Sequence, residues 1–196
     1  MSTASRIPPN KLPAPAPLFS ERLILRPLQH EDANDVFQYA SQPIVSRFLS
    51  WSPHETLADS HDFIASARAG YRAGRVAPWG IEHRADKKLI GTITFLTYSP
   101  VHALADIGYV ISPDYWGQGI APEAARTLIQ YGFETLSLNR IEAQCRLENQ
   151  ASSRVLEKAG LKGEAVLRQR FQVEGTFHDS HLFSILYDEW QSKETK

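Results

Sequence analysis

Apolar positions along this chain switch repeatedly between an every-second-residue spacing and a three- and four-residue spacing, so strand and helix segments are interleaved. Residues 21–28 carry Leu23 and Leu25 on one face and predict a first strand, ended or edged by Pro27. Residues 31–40 place Ala33, Val36 and Phe37 on one helical stripe; Pro43 breaks the pattern, and 44–49 is a short apolar segment. A longer helix is predicted over 56–72, with Phe63, Ile64, Ala67 and Tyr71 inward and Gly70 and Gly74 weakening its end. Three strands follow at 77–83, 88–96 and 103–111, and their short polar connections predict antiparallel neighbours.

Beyond a turn at Ser112-Pro113-Asp114, Ala125, Leu128, Ile129, Gly132 and Leu136 recur on one helical face. Residues 140–146 supply another strand. Asn149-Gln150-Ala151-Ser152 then opens a helix that turns Val155, Leu156 and Ala159 inward and stops at Gly160. Strands at 163–173 and 178–186 are separated by Glu174-Gly175-Thr176, a hairpin signal, and Asp188-Glu189-Trp190 closes the folded part. Residues 1–17, rich in Pro and Ala, are expected to form a flexible arm, 18–190 a single domain and 191–196 a polar tail.

A chain of 196 residues can bury one substantial core, and its 42% hydrophobic and 22% charged content is that of an ordinary soluble protein. The net charge of -1, with dispersed arginines, gives nucleic-acid binding no support. Cys145 is the sole cysteine, which excludes an intrachain disulfide and a cysteine-rich metal site, and its place in an alternating run fits a buried structural role. The seven histidines show no metal-ligand spacing, so no metal is expected. Without a signal-peptide core or an apolar run of membrane-spanning length, a cytoplasmic location and no membrane partner are expected.

The run Trp116-Gly117-Gln118-Gly119-Ile120-Ala121 precedes the helix whose early position Pro122 occupies. Free amides at 117–121, at the positive end of that helix, suit a pyrophosphate. The same two glycines also suit a plain tight turn. No Lys-Ser or Lys-Thr follows them, which excludes a Walker A loop, and Pro122 stands where a Rossmann turn needs its third glycine. The stretch resembles the acetyl-CoA-binding loop of the GNAT family of N-acetyltransferases. With Trp116 at the position where that family usually has Gln or Arg, it is similar to the variant of the RimJ/RimL branch, the ribosomal-protein N-terminal acetyltransferases. Asn149, Ser152 and the Lys158-Ala159-Gly160 helix end resemble the family's second signature, and the resemblance covers about residues 19–190.

This resemblance implies an α+β fold, a mixed α/β sandwich with a central, mostly antiparallel sheet flanked by helices. It also implies an enzyme that transfers acetyl from acetyl-CoA to a primary amine by direct attack in a ternary complex. The acceptor it favours is the N-terminal α-amine of a ribosomal-protein-like partner; a small-molecule amine and a noncatalytic acyl-CoA-binding module are the alternatives, in a monomer or homodimer. An α-amine, with a pKa of about 8, needs less help to lose its proton than a lysine at about 10.4. Trp116, Gly117, Gln118, Gly119, Ile120, Ala121, Asn149 and Ser152 are the cofactor residues the resemblance implies. Ser152 would serve the departing sulfur, because the family's usual tyrosine falls near Leu156; capping the helix start is its other reading. Asp106, before Ile107-Gly108-Tyr109, is a candidate base, with a plain exposed strand or turn carboxylate its other reading, and Glu82 on a neighbouring strand is the alternative base. Phe48, Trp51, Tyr71 and His178 are candidates for the acceptor pocket, with core packing the other role of the three aromatics.

Overall fold

The computed structural model describes residue 12, residues 15–173 and residues 175–194. In chain order the elements are β1 (Leu18–Phe19), β2 (Leu23–Pro27), α1 (Ala33–Ala40), α2 (Pro43–Ser46), α3 (Leu57–Ala73), β3 (Trp79–His83), β4 (Lys88–Ser99) and β5 (Leu104–Ile111). They continue through α4 (Ile120–Glu134), β6 (Arg140–Arg146), α5 (Gln150–Ala159), β7 (Lys162–Val173), β8 (Thr176–Leu186) and α6 (Tyr187–Glu194). The strands form one sheet in the order β1-β2-β3-β4-β5-β6-β8-β7. Among the described residues β5–β6 is its one parallel pair, and α4 is the crossover that parallel strands require. The expected mixed α/β fold, a mostly antiparallel sheet flanked by helices, is therefore present.

Alternation along the strands sorts the core into two layers. Ile81, Ile93, Phe95, Ile107 and Ile141 face α4, whose Ala124, Ala125, Leu128 and Ile129 meet them. On the opposite face Leu28 and Leu89 pack with Val36 and Tyr39 of α1 and Ile64 of α3. Truncating one of these buried leucines, such as Leu128, costs about 2–5 kcal/mol by lost transfer energy and the cavity left behind. The helices end where local chemistry ends them. Thr56 and Asp59 form a capping box at the start of α3, and Gly74 (φ 64°) closes it in the left-handed region.

Two boundaries differ from the sequence reading. The arm is docked in its described part: Leu12 is buried and donates its N–H to the Gly74 carbonyl at 3.0 Å, and the Trp79 indole donates to the Ala16 carbonyl at 3.2 Å. Burial of one large apolar side chain and one indole bond fix this segment; residues 1–11, 13 and 14 lie outside the described residues. At the other end α6 runs to Glu194, into the expected tail, and 195–196 lie outside the described residues, as does Glu174 of the hairpin turn. Among the described residues no helix is long and apolar enough to cross a membrane, and no group of three or more His, Cys, Asp or Glu is placed to hold a metal ion.

Candidate active site

Gly117 (φ 75°) and Gly119 (φ 77°) bend the chain into α4. A Cβ at Gly117 would meet nothing within 4 Å, and one at Gly119 would meet only Arg22 Nη2 at 3.5 Å. Glycine is required here for the hand of the backbone, not for room. Among the described residues no acceptor takes the amides of Gly117, Gln118, Gly119, Ile120 or Ala121. Trp116 is half-exposed, and its indole N–H donates to the Ile111 carbonyl at 2.8 Å. The loop is braced from β2: Arg22 donates to the Gln118 carbonyl at 2.8 Å and pairs with Glu123 at 2.6 Å. Burial alone would raise the pKa of Glu123, but the Arg22 amide, the Ser20 hydroxyl and the Arg22 guanidinium together hold it below its ordinary value.

Next to this loop the sheet opens. β5 and β6 pair only at Leu104↔Arg140, Ala105↔Ile141 and Asp106↔Glu142, although β5 continues to Ile111 and β6 to Arg146. Because Ile111 turns its carbonyl toward Trp116, alternation turns the N–H and C=O of Tyr109 and Ile107 into the same gap. A V-shaped slot with unpaired strand edges thus begins beyond Asp106.

The α4 side of the slot carries Asn149 and Ser152. Asn149 is the N-cap of α5, and its Oδ1 accepts the Ser152 N–H at 3.1 Å. The Ser152 hydroxyl is thereby left out of the capping, and Ser152 Oγ lies 2.8 Å from Tyr109 Oη across the slot. Cys145, buried as expected, has its Sγ 3.4 Å from Ser153 Oγ. Burial raises its thiol pKa.

The opposite side carries Asp106, Glu142, Gln144 and Arg146, the positions that alternate with the core-facing Ala105, Ile141, Ala143 and Cys145. Asp106 Oδ1 is buried with no hydrogen-bond partner among the described residues. Burial, reinforced by Glu142 and opposed by Arg170, pushes its carboxyl up to about 6. Farther out, Arg146 stacks over Phe48 at 5.3 Å, and Arg47 lies over the same ring at 5.0 Å. Arg146 Nη2 donates to His178 Nδ1 at 2.9 Å, which leaves Glu148, 3.3 Å from that nitrogen, as a charge neighbour.

The chain is similar to known proteins. The acetyltransferase (GNAT) domain model matches residues 22–162. The chain belongs to the GNAT family of acetyltransferases. Among the relatives of this GNAT chain, the uncharacterized N-acetyltransferase YoaA of Bacillus subtilis is 38% identical over 86% of this chain and 96% of its own. The spermidine N(1)-acetyltransferase of Escherichia coli is 26% identical over 85% and 87%. The crystal structure of the GNAT-family acetyltransferase from Bacillus anthracis superposes with a TM-score of 0.80, at 28% identity, over 88% of this chain and 99% of that one. Membership makes this GNAT chain an acetyl-CoA-dependent acetyltransferase acting on an amine. Its residues fit that cosubstrate: five unpaired amides at a helix start suit the pyrophosphate, and the slot offers strand edges to an amide-bearing arm.

Of the residues expected at the acceptor pocket, Phe48 and His178 come together through Arg146. Trp51 packs on His54 beside the α1–α3 core layer. Tyr71 is a correction: its hydroxyl accepts the Leu28 N–H and donates to the Pro78 carbonyl, so it serves as a structural pin between β2 and the approach to β3. Glu82 is a second correction. Arg26 holds it at 2.6 Å while also gripping Asp32, so its charge is spent on an ion-pair network two strands from the slot. Sequence reading missed Tyr109 and Arg146 as site residues. The one available signal was a hydroxyl-bearing ring in the otherwise apolar series Ala105, Ile107, Tyr109, Ile111.

Proposed function

We propose that this GNAT acetyltransferase acetylates protein N-terminal α-amines, in the manner of the RimJ/RimL branch. The observation that carries the reading is Asp106, a carboxylate with an unpartnered buried oxygen at the apex of the slot and a pKa of about 6. An α-ammonium lies only about 2 units above such a base, whereas a lysine ammonium lies more than about 4 units above it. Asp106 therefore suits an amine that is already partly neutral near pH 7, taking its proton directly or through one water.

Acetyl-CoA supplies the activated acetyl group. The amides of Gly117 to Ala121 bind its pyrophosphate, with Trp116 flanking them, and the Asn149 side-chain N–H groups, which its capping oxygen leaves free, steady the pantetheine arm. The Tyr109 amide, facing the slot, receives the carbonyl oxygen, where charge develops. Ser152 serves the sulfur, and no acyl-enzyme is needed. Phe48, Arg146 and His178 flank the acceptor chain. Two guanidinium groups over one ring disfavour a polycation, which weighs against an acceptor like that of the spermidine-named relative.

The test compares one lysine-containing peptide with its N-terminus free and blocked, with product mass locating the acetyl group. The free peptide is expected to react at least about tenfold faster, at its α-nitrogen. Equal rates with acetyl on lysine overturn the proposal, as does a preference of orders of magnitude for a small amine.

A further inference from the structure

The contact between Tyr109 and Ser152 links β5 to the first turn of α5 across the slot, 43 positions apart in the chain. A serine hydroxyl has one proton to give and rotates freely unless something fixes it. If that proton went to Tyr109, none would remain for another acceptor. The surroundings decide the direction. Around Tyr109 Oη the described partners are Ser152 Oγ at 2.8 Å and the Ser152 carbonyl at 3.4 Å; the carbonyl can only accept. Tyr109 is partly buried against the α4-side core, so its O–H takes an acceptor. The carbonyl, at 3.4 Å, lies beyond the usual O–H···O range, and the hydroxyl oxygen at 2.8 Å lies within it, so the proton is assigned to Ser152 Oγ. Burial also raises the phenol pKa above its ordinary value, which keeps it a donor across the working range. The Ser152 main chain is fixed independently, by the Asn149 cap on its N–H. Near the hydroxyl the remaining neighbour is the Cys145 thiol, a weak acceptor.

We propose that Tyr109 is a positioning residue for acetyl transfer: by donating to Ser152 Oγ it aims the single Ser152 proton at the departing CoA sulfur. This inference rests on the reading that Ser152 serves that sulfur. No net proton transfer through Tyr109 is required. The Ser152 O–H solvates the thiolate as the C–S bond breaks, and CoA leaves as thiolate or takes its proton from solvent. The Tyr109 side chain itself touches neither substrate.

The experiment titrates the thiol of bound CoA by thiolate absorbance, subtracting the dethio-CoA complex so that Cys145 cancels. It uses the full chain as wild type, Tyr109→Phe, Ser152→Ala and the double variant. Tyr109→Phe keeps the ring and its packing. Loss of an aimed hydrogen bond is expected to raise the bound thiol pKa by about one unit and to lower kcat about tenfold in each single variant. KM for acetyl-CoA should hardly move, and the double variant should be no worse than Ser152→Ala. A wild-type titration in Tyr109→Phe beside a shifted one in Ser152→Ala overturns the role of Tyr109 and leaves that of Ser152 standing. Wild-type titrations in both remove the Ser152 reading itself. A shift in Tyr109→Phe alone would mean that Tyr109 reaches the sulfur directly, which also overturns the proposal.

Discussion

Arg22 and Glu123, 101 positions apart, form an ion pair of 2.6 Å that joins the start of β2 to the first turn of α4. Its consequence is directional. Arg22 also binds the Gln118 carbonyl, and in a trans peptide the Gly119 N–H points opposite to that carbonyl. Holding the carbonyl toward β2 therefore turns the amide away from it, toward the position of an anion. The carboxylate of Glu123 gains from the positive helix end, while Arg22 offsets the charge it would present to a phosphate.

Replacing Glu123 with Gln should remove that brace. Glu123 accepts from the Ser20 hydroxyl, the Arg22 amide and the Arg22 guanidinium, so a stability loss of about 1–3 kcal/mol is expected. Weaker acetyl-CoA binding should accompany it. The pH dependence has a definite sign. Glu123 titrates below its ordinary value of 4.5, so its contribution is complete above pH 4.5 and fades as pH falls through the depressed value. Thermal unfolding of both proteins from pH 7 to pH 3 tests this: the difference should be widest near neutrality and close in acid. A constant difference would show that the Glu123 charge is not what holds the loop.

Asp106→Asn separates function from stability. The folded carboxyl is raised from 3.8 to about 6, so the folded state binds this proton more tightly than the unfolded chain does. Stability from this group is present below pH 3.8 and lost as pH rises through about 6. At pH 8 the neutral amide should therefore unfold later than wild type, by about 1–3 kcal/mol. Activity should move the other way. In wild type, kcat/KM for the acceptor should rise with pH through about 6, and the variant should lose both that limb and most of its turnover. A variant that keeps the limb would transfer the base role elsewhere.

Alternation and helical spacing were enough to place β2 through β8 and helices α1, α3, α4 and α5, because each buries one face and the period reports that face. The loop glycines and the Asn149 cap were readable for a similar reason: a left-handed turn and a helix start are set by neighbours in the chain. Pairings over long separations were not. Nothing near Glu82 in sequence announces that Arg26, 56 positions earlier, will capture it, nor does anything near Tyr71 announce the Leu28 amide. Asp106 could be proposed from its neighbours, but its perturbed carboxyl depends on the strand separation that begins there and on Glu142 alongside it. Likewise, Leu12 looked like part of a proline-rich arm because its partner, the Gly74 carbonyl, closes a helix 62 residues later (74 − 12).

The acceptor side gives the last prediction. Arg146 lies over Phe48, has a side chain only 13% exposed and is oriented by His178, so its charge is fixed at the outer end of the slot. Arg47 adds a second positive charge on the same ring, and Glu148 compensates one of them from a more exposed position. An acceptor peptide with an acidic residue just after its N-terminus should therefore be preferred over one with a basic residue there. Arg146→Gln shortens the side chain and keeps a hydrogen-bond donor but removes the charge. For a partly screened interaction of about 0.5–1 kcal/mol, KM for the acidic peptide should rise about two- to fivefold, with KM for acetyl-CoA unchanged. The preference should also weaken in high salt, where the Debye length becomes shorter than the approach distance of the peptide charge. Steady-state kinetics with an acidic and basic peptide pair, at two salt concentrations, measures both effects. Equal use of the two peptides by wild type would mean that the acceptor passes elsewhere. A selective loss of acetyl-CoA binding in Arg146→Gln would move Arg146 from the acceptor side of the slot to the cosubstrate side.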